Sequence, residues 1–260
     1  MGAGLAFQAA LDRYSRKELV LLNYHVHIPQ PDPMVNPSTL AREKFYDVTS
    51  SPSYLFDGER DGGGGSADGA RQLLETKIDP ILAKHMDVPP EAAIALKASA
   101  AGSTVKVAAS VSKVTSKSEK LKVQIALVEN RVNYSGENGM RIHEMVVRSL
   151  AVPPAPKPAK ADPKAEAPKP GAPPETTGFA LKPGSGGTFE YTFDLVKAVA
   201  DARAHLEDFE ANSPGSRWGK YAFRKKMNDI DGKTLSVVAF VQDETTMKIL
   251  QAVYVKLPTR

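Results

Sequence analysis

The spacing of apolar residues changes at Pro89–Pro90, and this change constrains the fold more than any other feature of the sequence. Upstream, apolar residues recur at helical spacing or form one continuous run. Downstream, they alternate with polar residues over several short segments, a pattern typical of antiparallel strands with one face in solvent. The sequence therefore predicts an α/β domain over residues 1–88 and an all-β domain over residues 89–260.

The first of these domains contains alternating helical and extended patterns. Residues 4–16 predict an amphipathic helix, and the apolar run over residues 19–26 predicts a strand covered on both faces, as in a parallel sheet between helices. The pair Asn36–Pro37 predicts the start of a second helix, because asparagine caps helices and proline suits their first position. Pro80 lies inside a third helical pattern and is expected to kink or split that helix.

The second domain contains seven segments with strand-like patterns, the number expected of an immunoglobulin-like antiparallel β-sandwich. These segments are residues 94–98, 105–111, 121–127, 142–147, 189–193, 235–241 and 250–257. Two stretches interrupt them. Residues 151–178 are rich in proline, alanine and lysine, so we expect a disordered insertion there. Residues 195–211 place apolar residues at helical spacing and predict one helix packed on or between the sheets.

Composition excludes several classes of function. The chain has no cysteine, which excludes disulfides, thiolate metal sites and cysteine nucleophiles. Its 34 basic and 30 acidic residues are interspersed, and without a basic stripe we expect no nucleic acid partner. No apolar run reaches 18 residues, so no transmembrane segment is predicted, and the first seven residues do not have the pattern of a signal peptide.

The stretch from Phe45 to Gly58 places aromatic residues and a valine ahead of Ser51–Pro52, a short strand and a turn. In this order it resembles the segment of thioredoxins that carries a cis-proline opposite the redox cysteines. The resemblance implies that the Ser51–Pro52 bond is cis, a minority state of X–Pro bonds. It also implies that Ser51, Pro52 and Ser53 line a groove that binds a peptide or protein.

Five short motifs carry a wider resemblance. They are Tyr24-His25-Val26-His27-Ile28-Pro29, Pro31-Asp32-Pro33, Asn36-Pro37, Ala239-Phe240-Val241-Gln242-Asp243 and Leu250-Gln251-Ala252-Val253. Together they are similar to a group of bacterial envelope proteins related to outer membrane protein 28, in which a thioredoxin domain precedes a β-sandwich. This likeness implies an exported, periplasmic or cell-envelope location.

In such proteins a strand and a Cys-x-x-Cys motif precede the helix that begins here near Leu5. The resemblance therefore implies a truncated thioredoxin-like domain that lacks its N-terminal strand and its Cys-x-x-Cys, and the expected cause is a misplaced or trimmed start. The lost strand would be central in the sheet. Its absence leaves backbone groups of the neighbouring strands unpaired, which costs about 1–3 kcal/mol for each group.

Two functions are compatible with these features. The first is a thioredoxin-fold protein of the thiol–disulfide oxidoreductase type, redox-inactive here for lack of cysteine, that binds a peptide or protein at the Pro52 groove. The second is a non-catalytic adhesion or scaffold module of the envelope that acts through the β-sandwich. The sequence contains no complete catalytic constellation, so we expect no catalytic residue and no cofactor. It leaves the oligomeric state open.

His25 and His27 are two residues apart on the predicted strand, so their side chains should point to one face. With Asp32 they form a candidate polar or metal site. The alternative is a pair of histidines that make structural hydrogen bonds, and no third metal ligand is evident. Two weaker signals are the glycine run at residues 62–65, an anion cradle or a flexible loop, and the aromatic residues at 218–223, a binding cluster or local packing.

Overall fold

The computed structural model describes residues 2–63, 66, 68–136, 138–154, 169–212 and 220–258. Its helices are α1 (Gly2–Arg13), α2 (Pro37–Phe45), α3 (Ala70–Leu73), α4 (Asp79–Met86) and α5 (Leu195–Asn212), with a π-helical turn over Leu74–Ile78. Its strands are β1 (Ser53–Phe56), β2 (Glu59–Gly63), β3 (Ala93–Ala101), β4 (Thr104–Ser112), β5 (Leu121–Asn133), β6 (Ile142–Leu150), β7 (Phe179–Leu181), β8 (Gly187–Asp194), β9 (Leu235–Asp243) and β10 (Ile249–Lys256). Helices and antiparallel sheets are both present, and strands predominate.

The strands form three antiparallel sheets within the described ranges. β1 and β2 make a two-stranded hairpin. A five-stranded sheet has the order β10-β9-β5-β6, with β7 paired to the start of β5. A three-stranded sheet has the order β3-β4-β8. Each of the seven segments predicted as strands after residue 89 matches a strand, with only Leu257 falling beyond the end of one, and β7 adds another.

The five-stranded and three-stranded sheets contribute to one hydrophobic core. β4 buries every second residue from Val105 to Val111, as its alternating sequence predicts. β9 is buried at every position, although a strand with one face in solvent would expose every second side chain. The reason is that the N-terminal region covers its second face, where Val238 and Phe240 share an apolar cluster with Leu11.

The expectation that residues 19–26 form a strand of a parallel sheet between helices is wrong. Their only β-pairing in the described chain is a parallel bridge between Asn23 and Val146, on the edge strand β6. The Asn23 N–H donates to the Met145 carbonyl at 2.9 Å, and the Val147 N–H donates to the Asn23 carbonyl at 3.0 Å. The run is apolar because it packs on the outer face of the five-stranded sheet. It is not a strand beside β1, which pairs with β2 instead.

Helix α2 begins where the sequence predicts, and its cap also anchors it to β6. The Asn36 side chain accepts hydrogen bonds from the Ser38 and Thr39 N–H groups. Its Nδ2 also donates to the Val147 carbonyl at 2.8 Å, and the Leu150 N–H donates to the Ser38 hydroxyl at 2.9 Å. Capping and docking therefore use the same polar side chains.

Pro80 produces a local change of helix geometry rather than a break. Helix α3, the π-helical turn Leu74–Ile78 and helix α4 follow one another directly. Pro80 lies in the first turn of α4. A proline in a helix cannot donate to the preceding turn, and a wider turn just before it accommodates this loss. The expected kink or split is realised as the π-helical turn.

The expectation of a disordered insertion at residues 151–178 is wrong at both ends of this range. Ala151 is buried and its N–H donates to the Ile125 carbonyl at 2.8 Å. The Gly178 N–H donates to the Ala151 carbonyl at 2.9 Å, and Thr177 is buried. These ends are ordered because Ala151, directly after β6, still bonds to β5, and Gly178, directly before β7, bonds to Ala151. Residues 155–168 of the insertion lie outside the described residues.

Helix α5 confirms the helical prediction for residues 195–211, and it buries Ala202 and Leu206. In the part of the chain that the structure describes, no helix has both the length and the apolarity needed to cross a bilayer.

Candidate functional site

A cavity of about 960 Å³ lies between the N-terminal elements and the outer face of the five-stranded sheet. Residues 19–24 and residues 50–59 both line it, and Val238, Phe240 and Ala252 of the sheet form part of its wall. A volume of this size is within the range of pockets that bind ligands. The cavity is therefore the candidate functional site.

The three predicted groove residues line this cavity. Ser51, Pro52 and Ser53 all belong to its wall, and the Ser51–Pro52 peptide bond is cis. The Ser53 hydroxyl donates to the Ser50 carbonyl at 2.7 Å, which closes the turn in front of β1. The structure thus places Ser51, Pro52 and Ser53 in the wall of this cavity. A second cis bond joins Ile28 to Pro29.

Backbone groups on two sides of the cavity have no partner within the described chain. Val20, Leu21 and Leu22 make no backbone hydrogen bond there. β1 pairs with β2 along one edge, and no described strand pairs with its other edge. An unpaired strand edge is a template for another extended segment. The cavity therefore has the features of a site for strand addition.

Arg42 of α2 is a buried cation in the wall of the cavity. It is 2% exposed. Its Nη2 donates to the Tyr46 hydroxyl at 2.7 Å and to Gln242 Oε1 at 2.5 Å. The guanidinium also lies over the rings of Phe45, Tyr46 and Phe240, 4.4–5.8 Å from their centroids. These contacts tie helix α2 to β9.

Two polar atoms in this wall lack a hydrogen-bond partner among the described residues. They are Arg42 Nε and the Tyr24 hydroxyl, and both are buried. Burial raises the pKa of Tyr24 far above its usual value, and the nearby positive charge of Arg42 only partly opposes this shift. Tyr24 is therefore a neutral hydrogen-bond donor at physiological pH. The sequence analysis missed Arg42, because an arginine on a short helix is usually exposed.

The second predicted site, His25, His27 and Asp32, forms one hydrogen-bonded group. His25 Nδ1 lies 2.7 Å from Asp32 Oδ2, and the Asp32 N–H donates to His27 Nδ1 at 3.1 Å. Burial acts to raise the pKa of Asp32, but the charge and hydrogen bond of His25 outweigh it and lower that pKa. The structure therefore brings these three side chains together, with Asp32 as the common partner.

Two further histidines join this group, and the sequence analysis found no role for them. His27 Nε2 lies 3.0 Å from His205 Nε2 on α5. The ring of His143 lies edge-on to that of His25, with centroids 5.2 Å apart, and its Nε2 bonds to the Tyr134 carbonyl. His143 and His205 are more than 100 residues from His27, so no local pattern could reveal the contact.

The metal alternative for this group finds no support in its geometry. Across the described ranges, no set of three or more histidine, aspartate or glutamate side chains converges as metal ligands would. Hydrogen bonds occupy the ring nitrogens of His27 on both sides. The arrangement fits the alternative reading, in which the histidines join the segment after residue 24 to α5 and β6.

The two weaker signals are only partly within the described residues. Gly62 and Gly63 belong to β2, whereas residues 64 and 65 lie outside the described ranges. Trp218 also lies outside them. Tyr221 and Phe223 are 4.9 Å apart between ring centroids and pack with Phe209 of α5. Their described contacts are therefore local packing.

The histidine group predicts a loss of stability in mild acid. Burial is the main cause that lowers the pKa of His27 and of His143 to about 4, below the ordinary value of 6.5. A histidine whose folded-state pKa is depressed binds its proton more readily in the unfolded chain, so stability is present above pH 6.5 and is lost as pH falls toward 4. With allowance for solvent screening, we expect a loss of about 1–3 kcal/mol between pH 7 and pH 5, measured by urea unfolding.

The control for this pH effect is the variant His143→Gln, whose amide can still donate to the Tyr134 carbonyl. Its unfolding free energy should depend less on pH over the same window, because it has no proton to gain. Equal slopes for the variant and the natural protein, or a flat profile in both, would contradict the assignment.

The comparisons with known proteins give limited information. No family model and no curated protein matches the chain. Among solved structures, it is similar to the crystal structure of a domain of the outer membrane lipoprotein Omp28 from Porphyromonas gingivalis, with 14% sequence identity and a TM-score of 0.31. The match covers 66% of this chain and 93% of that chain. At these values the likeness supports no transfer of fold or function.

Proposed function

We propose that this protein is a non-catalytic binding protein that takes up an extended polypeptide segment in the cavity beside Pro52. The observation that carries the proposal is backbone on two sides of one cavity, at Val20–Leu22 and along one edge of β1, that pairs with no other described segment. An extended segment placed there would pair with these groups and would bury its apolar side chains against Phe240 and its neighbours.

The resemblance stated from the sequence is compatible with this proposal. We propose that residues 1–88 are a thioredoxin-like unit and that residues 89–260 form an immunoglobulin-like sandwich. In that interpretation Ser51, Pro52 and Ser53 belong to the peptide groove. A location in the cell envelope and descent from a thiol–disulfide oxidoreductase are parts of the same proposal.

The test uses ten-residue peptides with alternating valine and threonine, which span about 33 Å when extended. Binding to the full chain is measured by calorimetry, and we expect dissociation constants in the micromolar range. Methylation of alternate peptide nitrogens should weaken binding at least tenfold when it blocks the paired edge of the peptide. Methylation of the other set should have little effect.

A matched pair of variants locates the site. Ala252→Trp places a large ring in the wall of the cavity and should weaken peptide binding at least tenfold. Ala95→Trp makes the same change on the exposed face of β3, away from the cavity, and should leave binding unchanged. Equal affinities for the two variants would refute the cavity as the binding site. If no extended peptide binds at all, the scaffold alternative becomes the better account.

A further inference from the structure

Arg42 is a buried cation that has no acidic partner among the described residues. No ion pair of the described side chains includes it, whereas Arg148, which is also buried, pairs with Glu129. Burying an unpaired charge is unfavourable, because the lost hydration must be replaced. Hydrogen bonds to Tyr46 and Gln242 replace only part of it. A negative group from a ligand would replace more.

Two donors in the cavity wall are available to such a group. Arg42 Nε and the Tyr24 hydroxyl are buried and lack a partner among the described residues, and both residues line the cavity. A buried donor without an acceptor destabilises the fold. The two side chains are close enough for Arg42, by its charge and its polar contact with the phenol, to oppose the rise in the pKa of Tyr24, although no hydrogen bond of normal geometry satisfies either atom among the described residues. They therefore form a pair of neighbouring donors.

Six carboxylates line the cavity, and no described ion pair joins any of them to Arg42: Glu18, Glu43, Asp57, Glu59, Glu91 and Glu144. Glu91 pairs with Lys248 at 2.7 Å, and Asp57 bonds to His85 at 2.8 Å. Glu43 also lines the cavity, but it forms no ion pair with Arg42 in the described structure. Burial raises the pKa of Glu43.

We propose that Arg42 and Tyr24 bind a carboxylate of the polypeptide segment that occupies the cavity. The inference rests on the proposed function and specifies the chemistry of the partner: an extended apolar segment that carries a carboxylate. A guanidinium and a phenol both donate to a carboxylate, and charge-assisted hydrogen bonds are stronger than neutral ones. The carboxylate is either the C-terminus of the segment or the side chain of an aspartate or glutamate within it.

The first experiment tests the donors without any peptide. Hexanoate is titrated into ¹⁵N-labelled protein, and the Nε–H signal of Arg42, assigned by its loss in Arg42→Lys, is followed by NMR. Hexanoate should shift this signal, and hexanol should not. Tyr24→Phe should weaken the effect of hexanoate at least fivefold. Tyr14→Phe, which removes a hydroxyl that donates to Asp79 away from the cavity, should not change it.

The second experiment compares three versions of one valine–threonine peptide: a free C-terminal acid, a C-terminal amide, and an amide with one internal glutamate. At least one carboxylate version should bind tenfold more tightly than the neutral amide, and the better version identifies the source of the carboxylate. The preference should fall in Tyr24→Phe, a change that keeps the ring and its packing.

The outcomes separate this inference from the proposed function. If all three peptides bind equally, the carboxylate site is wrong and peptide binding stands. If hexanoate shifts Arg42 but no peptide binds, the polypeptide partner is wrong, and with it the proposed function. An unchanged Arg42 signal with hexanoate overturns the inference whatever the peptides do.

Discussion

Replacing Arg148 with methionine should destabilise the protein by about 3–5 kcal/mol. Arg148 Nε lies 2.6 Å from Glu129 Oε2, and the two side chains are 4% and 5% exposed. Burial raises the pKa of Glu129, and Arg148 opposes this shift. Without the arginine, a carboxylate is left buried and unpaired, and the carbonyls of Met227 and Asp229 lose their donors. Urea unfolding at pH 7 measures the change.

Two controls make this prediction specific. The double variant Glu129→Gln, Arg148→Met removes the buried charge as well, so it should be more stable than the single variant. Arg71→Met makes the same substitution in an exposed ion pair with Glu75 and should have little measurable effect. A loss at Arg148 no larger than that at Arg71 would show that the buried pair is not important for stability.

Replacing Gly58 with alanine should destabilise the fold by about 2–4 kcal/mol and weaken peptide binding at least tenfold. Gly58 has φ +89°, and an added Cβ would lie 1.8 Å from the Met247 carbonyl oxygen. The turn between β1 and β2 would have to move away from the β9–β10 turn. The hydrogen bond from the Ile249 N–H to the Asp57 carbonyl, 2.6 Å long, holds these turns together. Because both turns border the cavity, its shape should change.

Gly184 is the matched control for Gly58. It has φ +63°, but no atom lies within 4 Å of the position of an added Cβ. Gly184→Ala therefore introduces only the conformational penalty of a positive φ, about 1–2 kcal/mol, and should leave peptide binding intact. Thermal unfolding and calorimetry on the two variants separate backbone strain from the loss of contact. Equal effects of the two substitutions on binding would contradict the role assigned to Gly58.

Local patterns predicted the elements that depend on neighbouring residues. The alternating segments after Pro89–Pro90 lie in strands, and Asn36–Pro37 marks the start of a helix. These predictions succeed because helix capping and strand alternation are properties of consecutive residues. The run over residues 19–26 was misread for the same reason. Its apolar side chains are explained by packing on the outer face of a sheet, and periodicity cannot distinguish that from a strand between two layers.

The candidate site could be predicted only in part. Pro52 stands out because its flanking residues resemble a known segment, and His25, His27 and Asp32 are close in sequence. Arg42 could not be found in this way, because its burial depends on Gln242 and Phe240, about 200 residues away. Similarly, His205 meets His27 only because α5 packs against the segment that follows residue 24.

By itself, the amino-acid sequence determined the strand and helix types, the helix cap at Asn36 and the exclusion of cysteine chemistry. Tertiary structure alone decided that β9 is buried on both faces, that Arg42 lies in a cavity wall with no acidic partner in the described part of the chain, and that four histidines form one group with Asp32. The physical reason is that backbone conformation follows from steric and hydrogen-bonding preferences of adjacent residues. Burial and the partners of buried charges depend on which faces of distant segments meet.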